Sequence, residues 1–257
     1  MAISLARWQP PYSAAEIGLF ASPEGVEVGA GEVVLLQVSD CEDTLGTVAD
    51  AASLAGVVRS LRRRFPGSPV AIWIPQAAPE HVIDLARAAT ALHVRAILGG
   101  PAPNPARLRF ELSHSQGLSA FVLRWASDAG YIPEGTAATE VGALLDAAPN
   151  VRTLQRLARE RQEATRTWRS HFRQLRLPPP RAWLGLAHML HQALHLQRNR
   201  EQPLQKIAEC LGYSDVTLMH HRFRHVFRMS PGAVRSLLGA EPLLHHWFQG
   251  ATRQIRR

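Results

Sequence analysis

Several things are scarce or missing in this 257-residue sequence. Only two cysteines occur, Cys41 and Cys210, far apart, which argues against a disulfide framework and fits a reducing cytoplasm. No run of about 18 apolar residues exists, so no membrane span is expected. The opening MAISLARWQPPYS lacks the charged region and long apolar core of a signal peptide. No glycine-rich phosphate loop is found, since Gly99-Gly100 runs into Pro101 with no following GxG pattern. Ser22, Ser39 and Ser68 lack a nucleophile-elbow context. Rossmann, P-loop and Ser/His/acid hydrolase sites are therefore unsupported; the chain is not expected to be an enzyme, and no cofactor is expected.

Lysine is the last scarcity. Of 29 basic residues only Lys206 is lysine. Arginine grips phosphate or guanine with two parallel bonds, although a GC-rich genome gives the same bias. The charge is unevenly placed. Residues 1–149 carry 10 basic and 15 acidic side chains, net −5, and residues 150–257 carry 19 and 6, net +13. This asymmetry points to a basic domain for a polyanion joined to a domain with another task.

In the N-terminal half, short apolar runs alternate with helical patterns. Strands are expected at Ile3–Trp8, Gly25–Val28, Glu32–Val38, Val70–Ile74 and Val94–Leu98. Helices are expected at Ser13–Phe20, Val48–Phe65 and Glu80–Leu92. Alternation of this kind implies a parallel sheet with helices on both faces, an α/β domain of flavodoxin-like type. Asp40, Glu42 and Asp43 follow the strongest strand, where ligands of such sheets bind, and three carboxylates suit Mg²⁺. A solvated loop with helix-capping acids is the simpler reading, and no metal site is assigned. PAPNP at Pro101–Pro105 is a loop, and Leu108–Ala129 reads as mostly helical.

The strand and helix order over residues 1–112 resembles the receiver domain of bacterial response regulators. The resemblance implies an acidic pair after the first strand, a phosphoacceptor Asp, a Ser/Thr and a Lys at later strand ends. Those positions hold Gln9-Pro10, Gln37, Pro75 and Gly100, so a degenerate, phosphorylation-independent receiver is expected.

The most informative stretch is Pro203–Arg235. Leu204, Ile207, Ala208 and Leu211 form one apolar helix face, and Gly212 stops that helix. Ser214 or Asp215 caps the next helix, in which Met219, Phe223 and Val226 are expected inward. Ser230-Pro231 starts a third helix. Two helices with so short a turn form a helix-turn-helix, whose second helix suits the major groove. The pattern occurs earlier, offset by about 50 residues. Leu154, Leu157 and Ala158 mirror Leu204, Ile207 and Ala208; Phe172 mirrors Phe223; Pro180 mirrors Pro231. There Trp168, Phe172 and Leu175 are expected inward. Such a repeat signals duplication. Between the copies Arg181–Arg198 reads as one long helix, about 27 Å at 1.5 Å per residue. That length suits two recognition helices one turn of DNA apart.

Residues 138–237 resemble the DNA-binding domain of the AraC/XylS transcription regulators. The resemblance rests on Ile207-Ala208, Leu211-Gly212-Tyr213, Asp215, Phe223, Phe227, Ser230-Pro231 and Arg235. It implies seven helices with two helix-turn-helix units. Gln162 and Glu163 replace a turn glycine and the apolar residue after it, Ala187 a linker-helix arginine, and Met219 an aromatic. Arg228 replaces another turn glycine, so that turn is expected to be altered.

The expected DNA-contacting residues are Thr165, Arg166, Arg169 and Arg173 in the first unit, and Val216, Thr217, His220, His221 and Arg224 in the second. Arg173 and Arg224 are assigned to phosphates, Arg166 and Arg169 to guanines, and Val216 to a thymine methyl. His220 and His221 would make contacts pH-sensitive. His188, His191 and His195 stand at i, i+3, i+7, but no acidic or cysteine ligand lies nearby in sequence, and no metal is assigned.

The expected organisation is an α/β sensory, docking or dimerisation domain at 1–130, a linker at 131–137, an all-α DNA-binding domain at 138–240 and a basic helical tail at 241–257. Expected partners are double-stranded DNA through its major groove, a second copy through the N-terminal domain, and RNA polymerase, with no membrane. The rival reading is an adaptor that binds another regulator and has largely lost specific DNA reading.

Overall fold

A computed structural model describes residues 2–8, 28, 32–39, 51–75, 87, 89–100, 105–115, 117–133 and 135–255. The chain divides into two compact units. The first comprises Met1–His114 with Ser236–Pro242; the second comprises Ser115–Arg235 with Leu243–Arg257. The division falls upstream of the 131–137 stretch that composition suggests as a linker. Tyr131 explains why: its half-buried ring stacks on Trp125 at 5.3 Å and on Phe248 at 4.3 Å, both in the second unit.

Among its described residues the first unit has four strands in the order β1 (Ala2–Trp8), β2 (Val33–Ser39), β3 (Val70–Ile74) and β4 (Ala96–Gly99). β2, β3 and β4 are parallel, with Val34 opposite Val70 and Ala71 opposite Ala96. Side chains alternate between the faces. Val34, Leu36, Val70, Ile72 and Ile74 pack with Leu54, Val58 and Leu61 of α1 (Ala51–Arg64). Val33, Leu35, Ala71 and Trp73 pack on the other face with Leu108 and Leu112 of α2 (Pro105–Leu112) and with Leu238. Both faces are covered, which is why β2 and β3 read as continuous apolar runs.

The receiver-like arrangement needs correction at β1. Among the described strands this one lies beside β2 and runs antiparallel to it, from Ala2 opposite Ser39 to Trp8 opposite Val33. A receiver sheet would make this strand parallel. The chain therefore leaves β1 at the end where β2 begins, away from Gln37. Alternation in sequence gives a strand but not its direction. Asp40, Glu42 and Asp43, Gln9-Pro10 and the helix at Ser13–Phe20 lie outside the described residues, as does Gly25–Val28 apart from Val28.

The stretch Leu108–Ala129, expected to be mostly helical, falls in two helices. α2 ends at Leu112 and α3 (Leu118–Asp128) begins after Gly117, whose left-handed backbone (φ 65°) interrupts the helical path. The last segment of the first unit, Ser236–Pro242, is buried from Leu238 onward. Gly239 (φ 76°) has no room for a side chain, since a Cβ would sit 3.0 Å from Pro69 Cγ. Glu241 is buried, and its Oε2 has no hydrogen-bond partner among the described residues.

The second unit is helical: α3, α4 (Thr136–Ala147), α5 (Leu154–Glu160), α6 (Thr165–Gln174), α7 (Pro180–Arg198), α8 (Leu204–Cys210), α9 (Val216–Phe227), α10 (Pro231–Ser236) and most of α11 (Glu241–Ile255). Pro180 opens α7 at a position that needs no backbone donor. α7 packs against α4, α5, α6 and α9. Trp183 on α7 lies 5.0 Å from Trp247 and 5.5 Å from Phe248 on α11. The C-terminal stretch is thus an integral core helix. The side chain of Arg253, and Arg256 and Arg257, lie outside the described residues.

Candidate nucleic-acid interface

Two helix pairs, α5–α6 and α8–α9, are joined by turns of one backbone design. After α5, the N–H of Gln162 donates to the carbonyl of Arg159 and that of Glu163 to Ala158. After α8, the N–H of Gly212 donates to Glu209 and that of Tyr213 to Ala208. Each residue is matched 50 positions on. This is the paired bonding that closes a helix through a left-handed residue. Gly212 takes that conformation at φ 78° and Gln162 at φ 56°. Replacing the glycine has left the turn's geometry in place.

The residue after each turn is anchored. Tyr213 donates its hydroxyl to Gln192 Oε1 on α7, and burial raises its pKa. Glu163, polar where the resemblance implies an apolar residue, accepts from the Trp168 indole N–H, and Arg161 lies over that ring. The Arg228 turn also keeps its form. Arg228 caps α9 with a left-handed backbone (φ 59°), its N–H donating to Arg224. The expected alteration of this turn is not seen.

The two units differ in how their second helices start. Asp215 settles the choice of cap for α9: its Oδ1 accepts from the Leu218 N–H at 2.7 Å. That bond holds the Asp215 carboxyl below the usual range. α6 starts from Ala164, which offers no side-chain acceptor. The second turn is also one residue longer, which accounts for the 51-residue offset between Phe172 and Phe223.

Met219, Phe223 and Phe227 form the buried stripe of α9, at i, i+4, i+8. Phe227, rather than the half-buried Val226, completes it. At about 100° per residue the opposite face is centred near His221 and His225. Thr217, His221 and Arg224 are exposed, whereas Val216 and His220 are half-buried at the flanks. Leu218, Arg222 and His225 are exposed too and were not among the expected contacts. Anchoring the helical projection on the Met219–Phe223–Phe227 spacing would have found them. On α6, Trp168 and Phe172 are buried and Leu175, just past its end, is half-buried. Arg166, Arg169 and Arg173 are exposed, and Thr165 is half-buried.

The histidines of α7 do other work. His188 Nε2 lies 2.7 Å from the Ala148 carbonyl. Burial and then Arg198 lower the pKa of His195. Among the described residues no group of three or more His, Cys, Asp or Glu side chains is placed to hold a metal ion. Cys210 is free and exposed at the end of α8. Among the described residues no helix is long and apolar enough to cross a membrane.

Comparison with known families matches residues 157–236 to the family described as a helix-turn-helix domain. That span runs from within α5 to the end of α10 and includes both turns. The chain thus carries a helix-turn-helix domain consistent with DNA-binding transcriptional regulation. Neither the curated proteins nor the solved structures compared with the chain give a match.

Proposed function

We propose that the protein is a sequence-specific, DNA-binding transcription regulator of the AraC/XylS type, with the second unit as the reader. The observation that carries this reading is the repeated turn: the same hydrogen bonds, 50 residues apart, each presenting a second helix with an exposed polar face. Arg166, Arg169 and Arg173 on α6 and Thr217, His221 and Arg224 on α9 are the principal contacts, with Thr165, Val216 and His220 at the edges. Phosphate contacts fix register and base contacts select sequence. A bidentate arginine–guanine pair is worth about 1–3 kcal/mol of discrimination. The first unit is a sensory, docking or dimerisation domain that works without phosphoryl transfer, because Gln37, Pro75 and Gly100 stand where a receiver would carry its phosphoacceptor and switch groups. A second copy, through this unit, and RNA polymerase are the protein partners proposed for the chain.

The test is selection of duplexes from a random library by the full chain, then footprinting at moderate salt. A protected site is expected. Arg169→Ala and His221→Ala should relax sequence preference, and Arg173→Ala should weaken all sequences alike and reduce the salt slope by about 1. Absence of any protected site would leave the adaptor reading, which the missing side-chain cap on α6 favours.

A further inference from the structure

Among the described residues only two large apolar side chains are markedly exposed, Phe110 at 52 % and Leu218 at 44 %. Phe110 has a ring neighbour, His114, at 5.8 Å. Leu218 stands in the first turn of α9, the third residue of that helix. Two constraints fix where it points. Its backbone N–H is bonded to Asp215 Oδ1 at 2.7 Å, which locks the first turn. Its neighbour Met219 is fully buried and begins the stripe continued by Phe223 and Phe227. A helix pinned on that stripe cannot roll Leu218 inward, because successive residues differ by about 100°. Leu218 therefore shares the outward face with His221, Arg222 and His225, at i, i+3, i+4 and i+7.

We infer that Leu218 is a specificity-determining residue that reads the C5-methyl group of a thymine. The inference rests on the DNA-reading function proposed above and names what this position reads. Residues near the N-terminus of a recognition helix meet base edges in the major groove. A leucine side chain has no donor or acceptor, and the apolar feature a base pair offers there is the thymine methyl. A polar base edge under Leu218 would lose its hydration without replacement. The thymine methyl instead gains cover, worth about one buried methyl group.

The experiment deletes the methyl and the side chain separately. The probe is the duplex selected by the full chain, prepared with thymine or with deoxyuridine at each thymine in turn. Uracil keeps every hydrogen-bonding group and lacks only the methyl. The wild-type chain should bind one substituted duplex about four-fold more weakly. Leu218→Ala should bind the thymine and uracil forms of that duplex equally, and Leu218→Met should keep the discrimination. Both replacements are exposed and helix-compatible, and circular dichroism verifies that they fold. Two results overturn the inference: a wild-type chain indifferent to uracil at every position, or Leu218→Ala still discriminating at the sensitive one. If selection enriches no duplex, the DNA-reading function itself fails, and the Leu218 inference fails with it.

Discussion

Gln162 and Gly212 allow a reciprocal test of the repeated turn. Both backbones are left-handed, at φ 56° and 78°, and both turns are closed by the same pair of hydrogen bonds. Holding an L-residue there costs about 1–2 kcal/mol. Glycine avoids that cost but loses about 0.5–1 kcal/mol more backbone entropy on folding than alanine does. The net expectation for Gln162→Gly is a gain of about 0.5–1 kcal/mol. Gly212→Gln should lose a similar amount, since a Cβ built at Gly212 meets no atom within 4 Å and only the backbone term changes. Gln162 is exposed and uncharged, so its side chain adds little of its own. The assay is urea unfolding followed by far-UV circular dichroism. With a slope of about 2 kcal/mol per molar urea, the midpoints should move by about 0.3–0.5 M in opposite directions. Gln162→Ala separates side-chain removal from backbone relief, because alanine keeps the strain. Equal gains for Ala and Gly at 162, or no loss at 212, would refute the argument that one backbone design underlies both turns.

The missing cap on α6 predicts that Ala164→Ser stabilises the second unit by about 1 kcal/mol, because residue 164 already has the extended backbone of a capping position (φ −76°, ψ 136°); urea midpoints check this. Two carboxylates predict pH effects of opposite sign. Burial raises the Glu241 pKa more than Arg95 and Arg62 lower it, so its contribution to stability is present at acid pH and lost as pH rises through the raised value. Glu241→Gln should flatten that loss in a series of midpoints against pH. The lowered pKa of Asp215 acts the other way: its contribution is present above the ordinary carboxylate range and lost as pH falls through the lowered value. Asp215→Asn should keep the cap and remove the acid-side slope.

The sequence made the second helix pair legible because each local signal agreed with its neighbours. Apolar spacing, Gly212, a capping residue and Ser230-Pro231 all marked the same boundaries. The first unit was harder, and β1 shows why. A period of two residues reports burial on alternate faces and is the same in either strand direction. Direction was decided by the pairing of Ala2–Trp8 with Val33–Ser39, which no local pattern encodes. The return of Ser236–Pro242 to the first unit was hidden for a related reason. Leu238 reads as one more apolar residue after a helix, and only the folded chain shows it among Leu35, Trp73 and Leu112.

The substitutions in the first helix pair bear on what the duplication has kept. Gln162 and Glu163 after α5, like Arg228 after α9, depart from the residue types the resemblance implies. In the folded chain the backbone bonds at 158–163 repeat those at 208–213, and Glu163 takes a new partner in Trp168. The reason is energetic. Two backbone hydrogen bonds and a buried stripe of Leu154, Leu157, Ala158, Trp168 and Phe172 outweigh about 1 kcal/mol of strain at one residue. A turn glycine is therefore a preference, whereas the apolar stripe that clamps two helices together is a requirement. By that measure the first helix pair retains the scaffold of a reader. What separates it from the second is the start of α6, where Ala164 leaves the first turn without the side-chain acceptor that Asp215 gives α9. On the DNA-reading function proposed above, a first turn without that cap would leave α6 to act through Arg166, Arg169 and Arg173 mainly as charge. Sequence preference would then concentrate under Thr217, Leu218 and His221.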